Sequence, residues 1–122
     1  MVKILLVSDD KVITFNVNKN KVLLEVLLAI LQLIPLGYVV TYKALAEILG
    51  TNARYIGNLL KKNNNPIIIP CHRVVKSNGE IGGYTLNSRR ADTLKKKLLE
   101  LEGVRVIGNR VSKNYIIRKL II

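Results

Sequence analysis

At 122 residues the chain has room for one domain with at most a small appendage, and a hydrophobic fraction of 49% supplies a real core. With 20 Lys+Arg against 8 Asp+Glu the formal net charge is +12, which points to a polyanionic partner, nucleic acid before an anionic membrane surface. The single cysteine excludes an internal disulfide and a cysteine-rich zinc site and suits the reducing cytoplasm, so neither metal nor cofactor is expected.

Residues 1–17 read as a β-hairpin, Val2 to Val7 and Val12 to Phe15 flanking the turn residues Ser8, Asp9 and Asp10. The N-terminus leads into this strand pattern, not into the apolar region of a secretory leader. After a polar link at 18–20, Leu23, Leu24, Leu27, Leu28 and Leu31 recur at helical spacing and predict a central helix over Lys21–Ile34, ended by Pro35 and Gly37. Glu25 and Gln32 interrupt it and Pro35 stops it, so it is too short to span a bilayer and no membrane is expected as partner.

Tyr38 to Val40 is a brief extended piece, and Thr41 stands where it can cap a short helix over Tyr42–Leu49, closed by Gly50. A second helix begins at Asn52 or Ala53 and runs to Lys62, with Ile56, Leu59 and Leu60 on one face and Arg54, Lys61 and Lys62 on others. Helix, glycine-containing turn and basic helix make a helix-turn-helix pattern, common taken alone but in keeping with the charge. Beyond the central motif, Gly82-Gly83 permits close backbone approach or positive φ, or simply a flexible loop. Ser88 is placed to cap a helix over Arg89–Glu102, closed by Gly103. Residues 104–122 alternate weakly and suggest a small hairpin around Gly108-Asn109 with a terminal strand or helical turn. The expected class is α+β, mostly α with small β elements. The expected arrangement is a winged-helix-like helix-turn-helix domain over 21–122 preceded by a short β-hairpin over 1–20.

The most informative stretch is Asn65-Pro66-Ile67-Ile68-Ile69-Pro70-Cys71-His72-Arg73-Val74-Val75. The β-branched run Ile67–Ile69 reads as a short buried strand limited by Pro66 and Pro70. Pro70 then fixes the entry to Cys71, whose neighbour His72 is the only histidine and is followed by Arg73. A thiol beside an imidazole and a guanidinium is where a cysteine becomes a thiolate, its pKa falling from about 8.5. A lone cysteine is also commonly a small buried hydrophobe, and neighbours on a strand face opposite ways.

Ile69-Pro70-Cys71-His72-Arg73-Val74-Val75 followed by Gly82-Gly83-Tyr84 resembles the active-site signature of the O6-alkylguanine-DNA alkyltransferases. The likeness extends over about 22–103: Val40-Thr41-Tyr42 with Leu45-Ala46 is similar to the first DNA-binding helix, Ala53-Arg54-Tyr55-Ile56-Gly57 to the start of the recognition helix, and Lys95 with Leu98-Leu99 and Glu102-Gly103 to the closing helix. The resemblance implies single-turnover repair, in which the alkyl group on O6 of guanine passes irreversibly to Cys71. It implies that His72 draws off the thiol proton through a water and that Glu102 orients His72. Tyr42 donates to N3 of the base, and Lys95 assists Tyr42. Tyr84 walls off the base, backbone groups at Cys71, Val74 and Thr85 hold its edge, and Asn63 braces the turn. A base in a duplex must be flipped out to reach a buried thiol, at a cost of a few kcal/mol. Arg54 is expected to fill the gap, with Ala53 and Asn52 beside it against a minor groove. The implied partner is double-stranded DNA carrying O6-alkylguanine, met by a monomer.

The sequence departs from the family pattern in three places, one of them a shorter turn between the two DNA-binding helices, just before Ala53. Only 1–20 stand where a substantial N-terminal domain is usual, without ligands for the zinc site of some members. Thr85-Leu86-Asn87-Ser88-Arg89-Arg90 replaces a glycine pair and lengthens the loop after Tyr84. The competing readings are a non-catalytic sensor of alkylated DNA, whose known examples lack the cysteine, a helix-turn-helix regulator, and a cysteine hydrolase, against which the basic charge argues.

Overall fold

The computed structural model describes residues 2–17, 19–86 and 89–121. Strands β1 (Val2–Val7) and β2 (Val12–Val17) form an antiparallel hairpin in register Val2 to Val17 and Val7 to Val12. Its turn is closed by Ser8, whose N–H donates to the Lys11 carbonyl and whose hydroxyl donates to Asp10.

Helix α1 (Lys19–Leu31) buries Leu27, Ile30 and Leu31. It ends three residues before the sequence pattern suggests. The residue before a proline is driven out of the α region, and the chain ahead of Pro35 tightens into i→i−3 bonds from Leu33 to Ile30 and Ile34 to Leu31. Glu25, Val26 and Ala29 remain exposed, so only one face of this apolar helix is central.

Strand β3 (Val39–Thr41), wholly buried, is the middle of a parallel three-stranded sheet, flanked by β4 (Val74–Val75) and β9 (Ile116–Ile117). Thr41 ends β3 and starts α2 (Tyr42–Leu49), its hydroxyl accepting from Ala44 N–H at 3.0 Å. Gly50 closes α2 at φ 69°, a left-handed conformation that costs glycine little. Asn52 caps α3 (Ala53–Leu60) by accepting from Tyr55 N–H. Helices α1, α2 and α3 pack with Val74, Cys71 and Tyr84 in one core. A second core joins Val39, Val75, Ile81, Leu99, Val104 and Val111 under the sheet.

Two expectations are corrected. Ile67–Ile69 is a turn, not a buried strand: Pro66 and Ile69 bridge each other, Ile67 has φ 76°, and Ile68 is 83% exposed. Flanking prolines remove ladder donors, and the chain folds back so that Ile69 N–H reaches the Asn65 carbonyl at 2.9 Å. Likewise the last long helix does not begin at Arg89. Arg89–Arg90 is β6, paired antiparallel with β5 (Thr85–Leu86), and α4 runs Asp92–Leu101. Ser88, the expected cap, lies outside the described residues. Ala91 takes the cap position without a side-chain bond, and Asp92 places its charge in the first turn. The C-terminal hairpin is present as β7 (Val106–Ile107) and β8 (Arg110–Val111), with a 3-10 turn at Lys113–Tyr115 before β9.

Candidate active site

The segment Cys71–Arg73 is one 3-10 turn between Pro70 and β4. It is started by Cys71 N–H donating to the Ile69 carbonyl and held by Arg73 N–H donating to Pro70. Adjacent side chains in a turn need not face opposite ways as in a strand, so cysteine and histidine can serve one site. Cys71 is 9% exposed and His72 fully buried.

Behind them stands Glu102, just past the end of α4. Its Oε2 lies 2.8 Å from His72 Nε2, and Arg73 grips both oxygens, Nε to Oε1 at 2.9 Å and Nη2 to Oε2 at 3.1 Å. The remaining Arg73 nitrogen, Nη1, donates to the Ile34 carbonyl beyond α1 at 2.9 Å. Burial alone would raise the Glu102 carboxyl, but the Arg73 and His72 hydrogen bonds outweigh it and hold it below the usual carboxylate range. Burial lowers the His72 pKa against the pull of Glu102, and the charges of Arg73 and Lys95 lower it further. At neutral pH the ring is therefore uncharged. A carboxylate can only accept, so the hydrogen sits on Nε2 and Nδ1 is left as an acceptor. Nδ1 is buried and has no hydrogen-bond partner among the described residues.

On the other side of the thiol lies a cleft of about 500 Å³. Cys71, Tyr42, Tyr84 and Thr85 line it along with Ala53 and Arg54 from the start of α3. Its charged lining is all basic among the described residues, Arg54, Lys61, Lys76 and Arg90. Burial, then the proximity of Cys71, raises the Tyr42 phenol, which therefore keeps its proton at neutral pH. Burial, then the proximity of Cys71, also raises Tyr84, whose buried hydroxyl has no hydrogen-bond partner of acceptable geometry among the described residues and whose ring meets His72 edge-on at 6.3 Å between centroids. Lys95, 1% exposed, donates to the Val74 carbonyl at 2.7 Å and the Gly83 carbonyl at 3.4 Å, and its ammonium lies 6.0 Å from the Tyr42 ring centre. Burial pulls its pKa down to about 8, although Cys71 and Asp92 oppose this.

The sequence profile of the DNA-binding domain of 6-O-methylguanine DNA methyltransferase matches residues 23–104, which hold every one of these groups. The chain belongs to that family.

Among its relatives, the methylated-DNA–protein-cysteine methyltransferase of Pyrobaculum aerophilum is 54% identical over 77 residues, covering 63% of this chain and 49% of its own. The enzyme of the same name from Saccharolobus solfataricus is 53% identical over 73 residues, 60% of this chain and 45% of its own. The chain thus spans about half the length of these curated relatives. Among solved structures, the O6-methylguanine-DNA methyltransferase of Pyrococcus kodakaraensis superposes with a TM-score of 0.56 at 41% identity, over 72% of this chain and 47% of its own. Atl1 of S. pombe, in complex with damaged DNA containing O6-carboxymethylguanine, gives 0.66 at 25% identity over 79% of this chain and 94% of its own.

Of the residues singled out in the sequence, Cys71, Tyr42, Tyr84, Thr85, Ala53 and Arg54 come together on this methyltransferase-family cleft. His72, Glu102 and Lys95 lie behind it as a second layer. Asn52 spends its side chain capping α3. Asn63 sits off the cleft and braces the turn, donating to the Ile69 carbonyl and accepting from Asn65 N–H. Val74 is fully buried, its carbonyl already engaged by Lys95. The sequence reading placed the Arg73 guanidinium beside the thiol, whereas it is committed to Glu102 and Ile34. It also missed Asp92, which accepts from Tyr84 N–H at 2.8 Å, and Arg90, which pairs with Asp92. Arg90 is the last of the six residues of the altered stretch 85–90, and nothing in its local spacing signalled either contact.

No group of three or more His, Cys, Asp or Glu suited to a metal occurs among the described residues, and no helix there is long and apolar enough to cross a membrane.

Proposed function

We propose that this protein reverses alkylation of guanine in duplex DNA, moving the O6-alkyl group to Cys71 once and irreversibly. The observation that carries this reading is a cysteine lining a basic cleft, backed by a buried neutral histidine whose ring is oriented by a doubly anchored carboxylate.

In the reaction the sulfur–carbon bond forms as the O6–carbon bond breaks. The thiol proton passes to His72 Nδ1 through one water, and the guanine leaving as an anion takes a proton from the Tyr42 hydroxyl. The nearby Lys95 ammonium favours the phenolate so formed. Glu102 fixes the His72 tautomer and stabilises the imidazolium while it lasts. The thioether is a poor leaving group, so the protein is consumed.

Arg54 at the start of α3 would enter the stack when the nucleotide leaves it, with Ala53 giving room for close approach in the minor groove. Tyr84 and the backbone at Cys71, Val74 and Thr85 would border the extruded base. All these groups come from one chain, which suits action as a monomer, and a free thiol suits the reducing cytoplasm. Residues 21–122 would carry binding and chemistry, with the 1–20 hairpin an appendage.

Single-turnover assay on a duplex with one O6-methylguanine tests the reading. Repair should stop at one lesion per protein and vanish in Cys71→Ser. Continued turnover, or repair by that variant, would exclude it.

A further inference from the structure

The loop that departs from the family pattern is the strand pair β5–β6, and it brings Arg90 to the cleft that holds Cys71. Arg90 lies across from Thr85 in register. Its Nε and Nη2 donate to the Asp92 carboxylate at 3.2 and 2.6 Å. Asp92 Oδ1 also accepts from Tyr84 N–H at 2.8 Å, and the Tyr84 carbonyl accepts from Ala91 N–H at 2.8 Å. The guanidinium is thus tied to the backbone that carries Tyr84. It lies so close over Gly83 that a Cβ there would come within 3.1 Å of Nη2. The side chain is nevertheless 73% exposed.

Such anchoring is more than a surface ion pair needs. A guanidinium has five N–H donors in a planar fork, and Asp92 takes two, so three remain for a ligand at a fixed place and angle. The Asp92 charge offsets that of Arg90, so directed hydrogen bonds more than bulk charge would set what it holds. A base lodged beside Cys71 leaves its charged phosphodiester at the mouth of the cleft, because a phosphate does not follow a base into a confined site. Arg54 occupies the α3 wall of the same cleft.

We propose that Arg90 is a phosphate clamp, a guanidinium pinned by Asp92 over Gly83 that takes the phosphodiester flanking the extruded nucleotide. This rests on the alkyltransferase reading of the cleft.

The test compares wild type, Arg90→Ala and Arg90→Lys on two substrates, a duplex with one O6-methylguanine and the free O6-benzylguanine base, and measures salt dependence of lesion binding. The free base has no phosphate. Both variants should lose at least about tenfold in rate on the duplex, the size of a lost charge-assisted hydrogen bond, and less than about threefold on the free base. For Arg90→Ala the salt slope of binding should fall by about one. Replacing the flanking phosphates by neutral methylphosphonates should bring wild type down to the level of Arg90→Ala. Equal losses on free base and duplex would overturn the proposal, as would an unchanged salt slope or a methylphosphonate effect that persists in Arg90→Ala. If no protein transfers an alkyl group, the enzyme reading fails, while the salt slope and the methylphosphonate comparison still decide the clamp.

Discussion

Lys95 is a cation with almost no access to water, and its burial should be measurable as pH-dependent stability. Its pKa falls from 10.5 to about 8 in the folded protein, a lowering that costs the charged form. Between these two values the unfolded chain binds more protons than the folded one, so stability rises with pH. The penalty is fully present below about pH 8 and gone above about pH 10.5. At 1.36 kcal/mol per unit it amounts to about 3 kcal/mol. Lys95→Met keeps the apolar stem and removes the titration, while giving up the hydrogen bonds to the Val74 and Gly83 carbonyls. Urea unfolding of both proteins between pH 7 and 10.5 isolates the effect, because every other titrating group is common to the two. The stability of wild type relative to Lys95→Met should climb by about 3 kcal/mol over that window. Parallel profiles would refute the assignment of Lys95 as a buried, strained cation.

Other perturbations bear on other parts of the site. Because the His72 pKa lies below its ordinary 6.5, the alkyl-transfer rate should be flat from about pH 6.5 up to about pH 8, decline in more acid solution, and decline again above about pH 8 as Lys95 loses its proton; a rate still rising between pH 7 and 8 would contradict a neutral His72 base. Glu102→Gln removes both the carboxylate that orients His72 and the partner of Arg73, and should slow transfer by about 100-fold or more, the scale of general-base catalysis. Quench-flow on methylated duplex reads this, and a change under threefold would exclude the relay. Thr41→Ala removes the cap of α2 and should cost about 1 kcal/mol in denaturant unfolding. Lesion binding should weaken steeply from 50 to 200 mM salt, and salt-independent binding would contradict a phosphate-facing basic cleft.

The legible parts of this chain were those fixed by neighbours in sequence. Thr41 and Gly50 bracket α2 by cap chemistry that acts within three residues, and the turn at Ser8–Lys11 is likewise local. Cys71, His72 and Glu102 were found through their motif, which carries spatial proximity no spacing rule could supply, since Glu102 lies thirty residues from His72. What stayed hidden depends on tertiary partners. Ile67–Ile69 has the composition of a strand, but among the described residues no strand pairs with it. Arg89–Arg90 has helix-compatible residues and is drawn into β6 by pairing with Thr85–Leu86. The positions of Arg73 and Arg90 follow from which carboxylate each one meets, Glu102 for the first and Asp92 for the second, and those meetings are products of the fold.

The central claim is irreversible transfer to one thiol, and intact-protein and peptide mass spectrometry tests it most directly. Equimolar reduced protein is mixed with a duplex bearing a single O6-methylguanine. The account predicts one added methyl on the peptide containing Cys71, with the guanine restored in equal amount. Folded protein that binds the lesion tightly while Cys71 stays unmodified would contradict it and leave a damage sensor in its place.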